Sequence, residues 1–250
     1  MTESIVRRMI DFLEPVARQR NVAEVRIGLR YTSVRLDDGN AGIAWTARTG
    51  AECCADAPEA GTLAGRPASG TLTLLASDGP LYRTIGLATA NALAASLPRP
   101  PTTSTGVLTL IDIQPSDRVV MVGFFDPMIP RIRETGCRLD IVELRTDRPE
   151  TVSPDEGRSS LAACSVALIT ATSLVTGTMD ELLAGLGSPR VAVILGPSSF
   201  MRPEVFSGTP VTHIAGLWVD DVAALEQIVS EAGGTKHIKP YTRFETICLG

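Results

Sequence analysis

The sequence predicts an α/β protein whose second part is a Rossmann-like domain built on a parallel sheet. Two copies of one design carry the prediction. Val166–Thr170 is a short apolar run that ends in hydroxylated residues ahead of a helix-forming stretch. Val191–Leu195 is another, followed by Gly196, Pro197, Ser198 and Ser199. Strand, polar loop and helix form the unit of open α/β sheets, which bind ligands in the loops beyond their strand ends. A third observation is a seam: Leu97–Gly106, LPRPPTTSTG, sets prolines before a run of hydroxylated residues and divides the chain into 1–100 and 101–250.

In chain order, MTESIVRRMIDFLEPVARQR forms an amphipathic helix with Ile5, Met9, Phe12, Leu13 and Val16 on one face. Strand-like runs follow at Glu24–Arg30, Tyr31–Leu36 and Ala41–Thr46, and Asp37-Asp38-Gly39-Asn40 supplies a hairpin turn between the last two. Ser69–Ala76 and Leu81–Leu97 have helical composition, which makes the first part a small α+β domain. Beyond the seam, strands are predicted at Arg118–Gly123, Leu139–Leu144, Val166–Thr170, Val191–Leu195, Thr212–Val219 and Glu245–Leu249. One helix starts near Thr178, with Asp180 and Glu181 favourably placed in its first turn. Another spans Asp220–Ala232, capped by Asp220 or Asp221 and closed by Gly233-Gly234. Near-continuous apolar strands alternating with helices imply a sheet covered on both faces.

The 250 residues are 44% hydrophobic and 20% charged, ordinary for a globular protein, and carry a net charge of −5. That charge offers no footprint for nucleic acid. No apolar run approaches the roughly 20 residues that span a bilayer. The first helix carries acidic residues and lacks the apolar centre of a signal peptide, so a cytoplasmic protein is expected. The five cysteines are odd in number and irregularly spaced, which excludes a disulfide framework. Cys137, Cys164 and Cys248 fall in or beside strands and are expected to be buried. Cys53 and Cys54 are adjacent and are the candidate soft-metal ligands, although two ligands do not complete a zinc site. A homodimer is the default expectation for oligomeric state.

Glu143 ends the second predicted strand of the larger part, twenty residues after Gly123, where a carboxylate commonly meets a ribose hydroxyl. Gly123-Phe124-Phe125-Asp126-Pro127 stands where a GxGxxG turn would cradle a pyrophosphate, and its bulk argues against NAD. Thr170, Thr172 and Thr178, with Gly196, Ser198 and Ser199, would place hydroxyls and amides near helix starts, an environment suited to phosphate or carboxylate. The competing role for each is helix capping. In the first part, Arg66 and Ser69 lie in the glycine-bounded stretch Gly65–Gly70, and a guanidinium there would grip an anion. Asn91 interrupts an apolar helix and needs hydrogen-bond partners if buried. His213 and His237 are expected to be structural. Asp112 and Asp126 could act as acid or base, but no nucleophile motif accompanies them.

GLATANAL, VGFFDPMI, TATSLVTGTMDELL and VILGPSSF together resemble the family named for a putative heavy-metal chelation domain. The resemblance implies a Rossmann-like C-terminal domain preceded by a small domain similar to the N-terminal domain of enolase. It also implies metal chelation between the two. Carried onto this chain, that site draws on Gly65–Gly70 and Asn91 from the first part, and on Gly123–Pro127, Thr170–Thr178 and Gly196–Ser199 from the second. Those segments hold few soft ligands, and Asp126 is their only carboxylate. The expectation is therefore a cleft that binds a small anionic ligand, or a transition or heavy metal ion held through one. The alternative is an enzyme acting on a small anionic or heterocyclic substrate, with Arg66 steering it and Asp126 or Glu143 titrating.

Overall fold

The computed structural model describes residues 3–47, 59–143 and 150–249. Helix α1 (Ile5–Ala17) starts at Ser4, whose hydroxyl accepts the Arg7 N–H, and buries Ile5, Met9, Ile10, Leu13 and Ala17. Phe12 and Val16 border that face. Strands β1 (Val22–Ile27), β2 (Tyr31–Leu36) and β3 (Ala41–Trp45) form an antiparallel sheet in that spatial order. Helices α2 (Ala68–Thr73) and α3 (Pro80–Ala95) complete the first part. α3 is apolar nearly all round because neighbours enclose it: β2 and β3, α1 and α2, and an element of the second part. Gly42 permits the close approach of β3, since a Cβ there would lie 2.2 Å from the Ala92 backbone nitrogen.

The second part runs α4 (Val107–Ile111), β4 (Arg118–Val122), α5 (Ile129–Arg133), β5 (Arg138–Val142), β6 (Thr151–Val152) and α6 (Pro154–Ala163). It continues with β7 (Val166–Thr170), α7 (Ser173–Thr176), α8 (Met179–Gly185), β8 (Val191–Leu195) and β9 (His213–Val219). α9 (Val222–Ser230), α10 (Thr235–Ile238) and β10 (Thr242–Cys248) end it. The strands make one seven-stranded sheet in the order β10-β9-β8-β7-β4-β5-β6, parallel except for β10. The chain winds outward from β4 to β6, then returns to place β7 on the other side of β4. That reversal is the topological switch point of a doubly wound sheet.

The seam is built into the fold. Thr103 exchanges both backbone hydrogen bonds with Thr246 of β10, at 2.9 and 2.8 Å. Arg202, only 3% exposed, donates to the carbonyls of Ala94, Leu97 and Pro98 at the end of α3. A cation there suits the negative end of the helix, and its guanidinium also lies over the Trp218 ring. One buried cluster joins Met9, Leu13 and Leu87 with Ile169, Phe200 and Trp218, so the core is continuous across residues 97–106. Among the described residues, no helix is long and apolar enough to cross a membrane.

Candidate functional site

The switch point opens between the ends of β4 and β7. Gly123 follows β4 with φ +90°, a conformation that excludes most side chains, and a Cβ there would sit 3.0 Å from Thr170 Cβ. The chain then passes through Phe124 and Phe125 into a 3₁₀ turn, Asp126–Met128, with Asp126 exposed. Across the gap, the hydroxyls of Thr170 and Thr172 lie 3.0 Å apart, and Thr170 Oγ1 also accepts the Thr172 N–H. Gly196, with φ +122°, ends β8 beside Phe125: a Cβ on it would lie 3.9 Å from that ring. Glu143 closes β5, half-buried, its N–H donating to Val152. Gly123, Phe125, Asp126, Glu143, Thr170, Thr172 and Gly196 thus share the C-terminal edge of the sheet.

Other residues named from sequence lie away from that gap and bond to the protein's own groups. Ser198 Oγ, buried, accepts the Trp45 N–H at 2.8 Å, and Ser199 donates to the Ala215 carbonyl at 2.8 Å. Asn91 Nδ2 donates to the Ile43 carbonyl at 2.9 Å. Ser198 and Asn91, together with Thr84, which takes the Ala47 N–H, occupy the outer edge of β3 in place of another strand. Asn91 and Ser199 border a cavity of about 20 Å³, room for a single water. Thr178 precedes α8 but makes no side-chain cap; its hydroxyl pairs with Thr176 at 2.9 Å, one helical turn from the Thr170–Thr172 pair.

Arg66 bonds Thr62 through its guanidinium and Val22 through its carbonyl, on the outer side of β1. Because β1 and β3 are opposite edges of their sheet, Arg66 and the Ser198 contact lie at opposite ends of that layer. Ser69 sits in α2, which packs on α1 and α3. Cys53 and Cys54 lie outside the described residues. Cys248 is exposed rather than buried, since β10 is an edge strand; Cys164 is buried and Cys137 half-buried.

A cation from the first part, Arg83 of α3, reaches the loop that follows β7. Its Nε donates to the Val175 carbonyl at 2.6 Å, and its guanidinium lies 3.6 Å from where a Gly177 Cβ would stand. Sequence inspection passed over it because an arginine in an otherwise apolar helix has the same composition as any solvated one. The larger groove, about 250 Å³, lies at the other edge of the sheet, between α4 and α5, lined by Leu108, Asp112, Ile113 and Arg131. Among the described residues, no three His, Cys, Asp or Glu side chains converge as metal ligands. Hydroxyls and two separate carboxylates are hard donors, a poor match for direct ligation of a soft heavy metal.

A family model described as Putative heavy-metal chelation (DUF364) matches residues 106–248, and a second with the same description (DUF4213) matches residues 10–94. The first covers more than half of the chain, and the protein belongs to this family. It is similar to a DUF364-family protein of unknown function from Pyrococcus horikoshii, with a TM-score of 0.84, 20% identity, and 98% of this chain and 100% of that one covered. Another DUF364-family protein of unknown function, from Desulfitobacterium hafniense DCB-2, gives a TM-score of 0.82 at 20% identity, covering 98% of each chain. At such identity the likeness concerns the fold alone. No curated protein matches the chain.

Proposed function

We propose that this protein binds a small organic anion, or a heavy-metal ion carried within one, in the crevice between the ends of β4 and β7. The observation that carries the reading is the facing pair at the switch point. Gly123 has no side chain to fill the gap, and Thr170 and Thr172 hold hydroxyls that bond each other and can turn to donate to an anion. In this reading residues 101–250 are the Rossmann-like unit that supplies the loops. Residues 1–100, the part that resembles the enolase N-terminal domain, support them through Trp45 and Arg83. A metal held within an organic ligand would reconcile the family description with a crevice poor in soft donors.

Native mass spectrometry of the freshly purified full chain, with elemental analysis, tests this. The expected result is a small organic molecule bound one to one, with or without metal, in the wild type and absent from Gly123→Leu. Saturating the protein with its ligand should raise the melting temperature by about 5–10 °C. Ligand-free wild type that neither citrate nor phosphate stabilises would refute the reading. Consumption of the released molecule on return to the protein would instead favour an enzyme, with Asp126 or Glu143 as acid or base.

A further inference from the structure

The geometry points to a second binding place at the opposite edge of the sheet: a seat for a soft divalent cation formed by His213 and Cys248 across the β9–β10 ladder. The two residues are direct partners in the antiparallel register. Leu249 donates its N–H to the Thr212 carbonyl at 2.8 Å, whereas Thr246 turns its backbone groups outward to Thr103. Ladder hydrogen bonds alternate, so this pattern makes His213–Cys248 a non-hydrogen-bonded pair. Such pairs bring opposing side chains closest, with Cα atoms about 4.5 Å apart and both side chains on one face.

Neighbouring groups prepare the imidazole. The Thr212 hydroxyl donates to the Ala192 carbonyl at 3.1 Å and lies 2.8 Å from His213 Nδ1. The same oxygen accepts the Ala192 N–H at 3.1 Å, so the hydroxyl is held in place beside the ring by β8. Thr212 thus engages Nδ1 and leaves Nε2 as the ring nitrogen that meets a metal, the arrangement found where a second hydrogen bond orients a histidine ligand. Burial of the ring also lowers its affinity for a second proton. Cys248 is exposed on the outermost strand, so a cation can reach it from solvent.

On binding, the Cys248 thiol releases its proton to solvent and the thiolate joins Nε2 on the ion, with water in the remaining positions. One imidazole and one thiolate, with no carboxylate, select Cd²⁺ over Mg²⁺ or Ca²⁺. The seat shares no residue with the crevice, so either site can fail without the other.

The experiment is timed alkylation of the native full chain with iodoacetamide, read at Cys248 by peptide mapping, with and without excess Cd²⁺. In the wild type Cd²⁺ should slow alkylation of Cys248 about tenfold, because a metal-bound thiolate is a poor nucleophile. In His213→Gln it should slow it less than about twofold, the imidazole anchor being gone. Equal protection in both proteins would mean a thiol acting alone, and no protection in the wild type would mean no seat; either overturns the proposal. X-ray absorption at the cadmium edge of the Cys53→Ser/Cys54→Ser variant serves even if His213→Gln misfolds. One sulfur and an imidazole nitrogen are expected, and a shell lacking either overturns the assignment.

Discussion

The two ends of the seven-stranded sheet are made from different chemistry. Where its parallel strands begin, Asp117, Ser165 and Arg190 sit just before β4, β7 and β8, and they bind those strands to one another. The Asp117 carboxylate accepts from Ser165 Oγ at 2.7 Å, from the Gln114 N–H at 2.8 Å and from Arg190 at 2.5 and 3.1 Å. Arg190 also donates to the Ile111 and Asp112 carbonyls behind α4. Where the same strands finish, the corresponding positions hold Gly123, Thr170 and Gly196, two of them at positive φ. One end spends its polar groups on fixing the sheet, while the other leaves hydroxyls bonded only locally and room beside them. Catalytic and binding loops are commonly placed on a scaffold held firm elsewhere.

The largest test of this contrast is Asp117→Ala. It strands a partly buried Arg190 and a hydroxyl, and should cost about 3 kcal/mol, read as a lower urea midpoint. The same network holds the Asp117 carboxyl well below its ordinary value of 3.8, chiefly through the Arg190 hydrogen bonds. A carboxylate depressed in this way stabilises the fold fully above its unfolded value and loses that contribution as pH falls below it. Wild-type stability should therefore decline on acidification below pH 3.8, and Asp117→Ala should show a shallower decline over the same range.

Gly123→Ala should have an intermediate effect. A Cβ at φ +90° and 3.0 Å from Thr170 is strained and crowded, costing about 1–2 kcal/mol, and it should also weaken ligand retention in native mass spectra. Thr172→Val should be the mildest for stability, within about 0.5 kcal/mol by thermal melting, since its hydroxyl is half-exposed and bonds only Thr170. Its ligand affinity should nevertheless fall by about fivefold to tenfold, the scale of one lost hydrogen bond. If Thr172→Val destabilises the chain as much as Asp117→Ala, the contrast between the two ends is wrong.

How much of this was legible depended on whether the signal was local. β7 and β8 have the predicted bounds, Val166–Thr170 and Val191–Leu195, because a buried apolar run bounded by polar loops leaves little else for those residues to do. β10 begins at Thr242, before the predicted Glu245, because β9 extends the pairing to Thr242↔Val219. α4, α5 and α7, of four or five residues each, are too short for periodicity to reveal and exist through their packing. The same division holds for the site. Gly123, Thr170 and Gly196 were visible as strand-to-loop junctions, whereas the partners of Ser198 and Asn91, the backbone of Trp45 and Ile43, lie too far along the chain to be read from sequence.

The sequence by itself determined the α/β class, the apolar strands, the hydroxyl-rich loops after them and the family to which the chain belongs. Each of these is carried by neighbouring residues, because secondary-structure periodicity and motif composition are short-range properties. Only the tertiary structure decided that β4 and β7 stand side by side, that Arg83 reaches the loops while Arg66 does not, and that His213 faces Cys248. Those pairings join residues far apart in the chain, and their register follows from how whole sheets bury their faces, which no local stretch of sequence records.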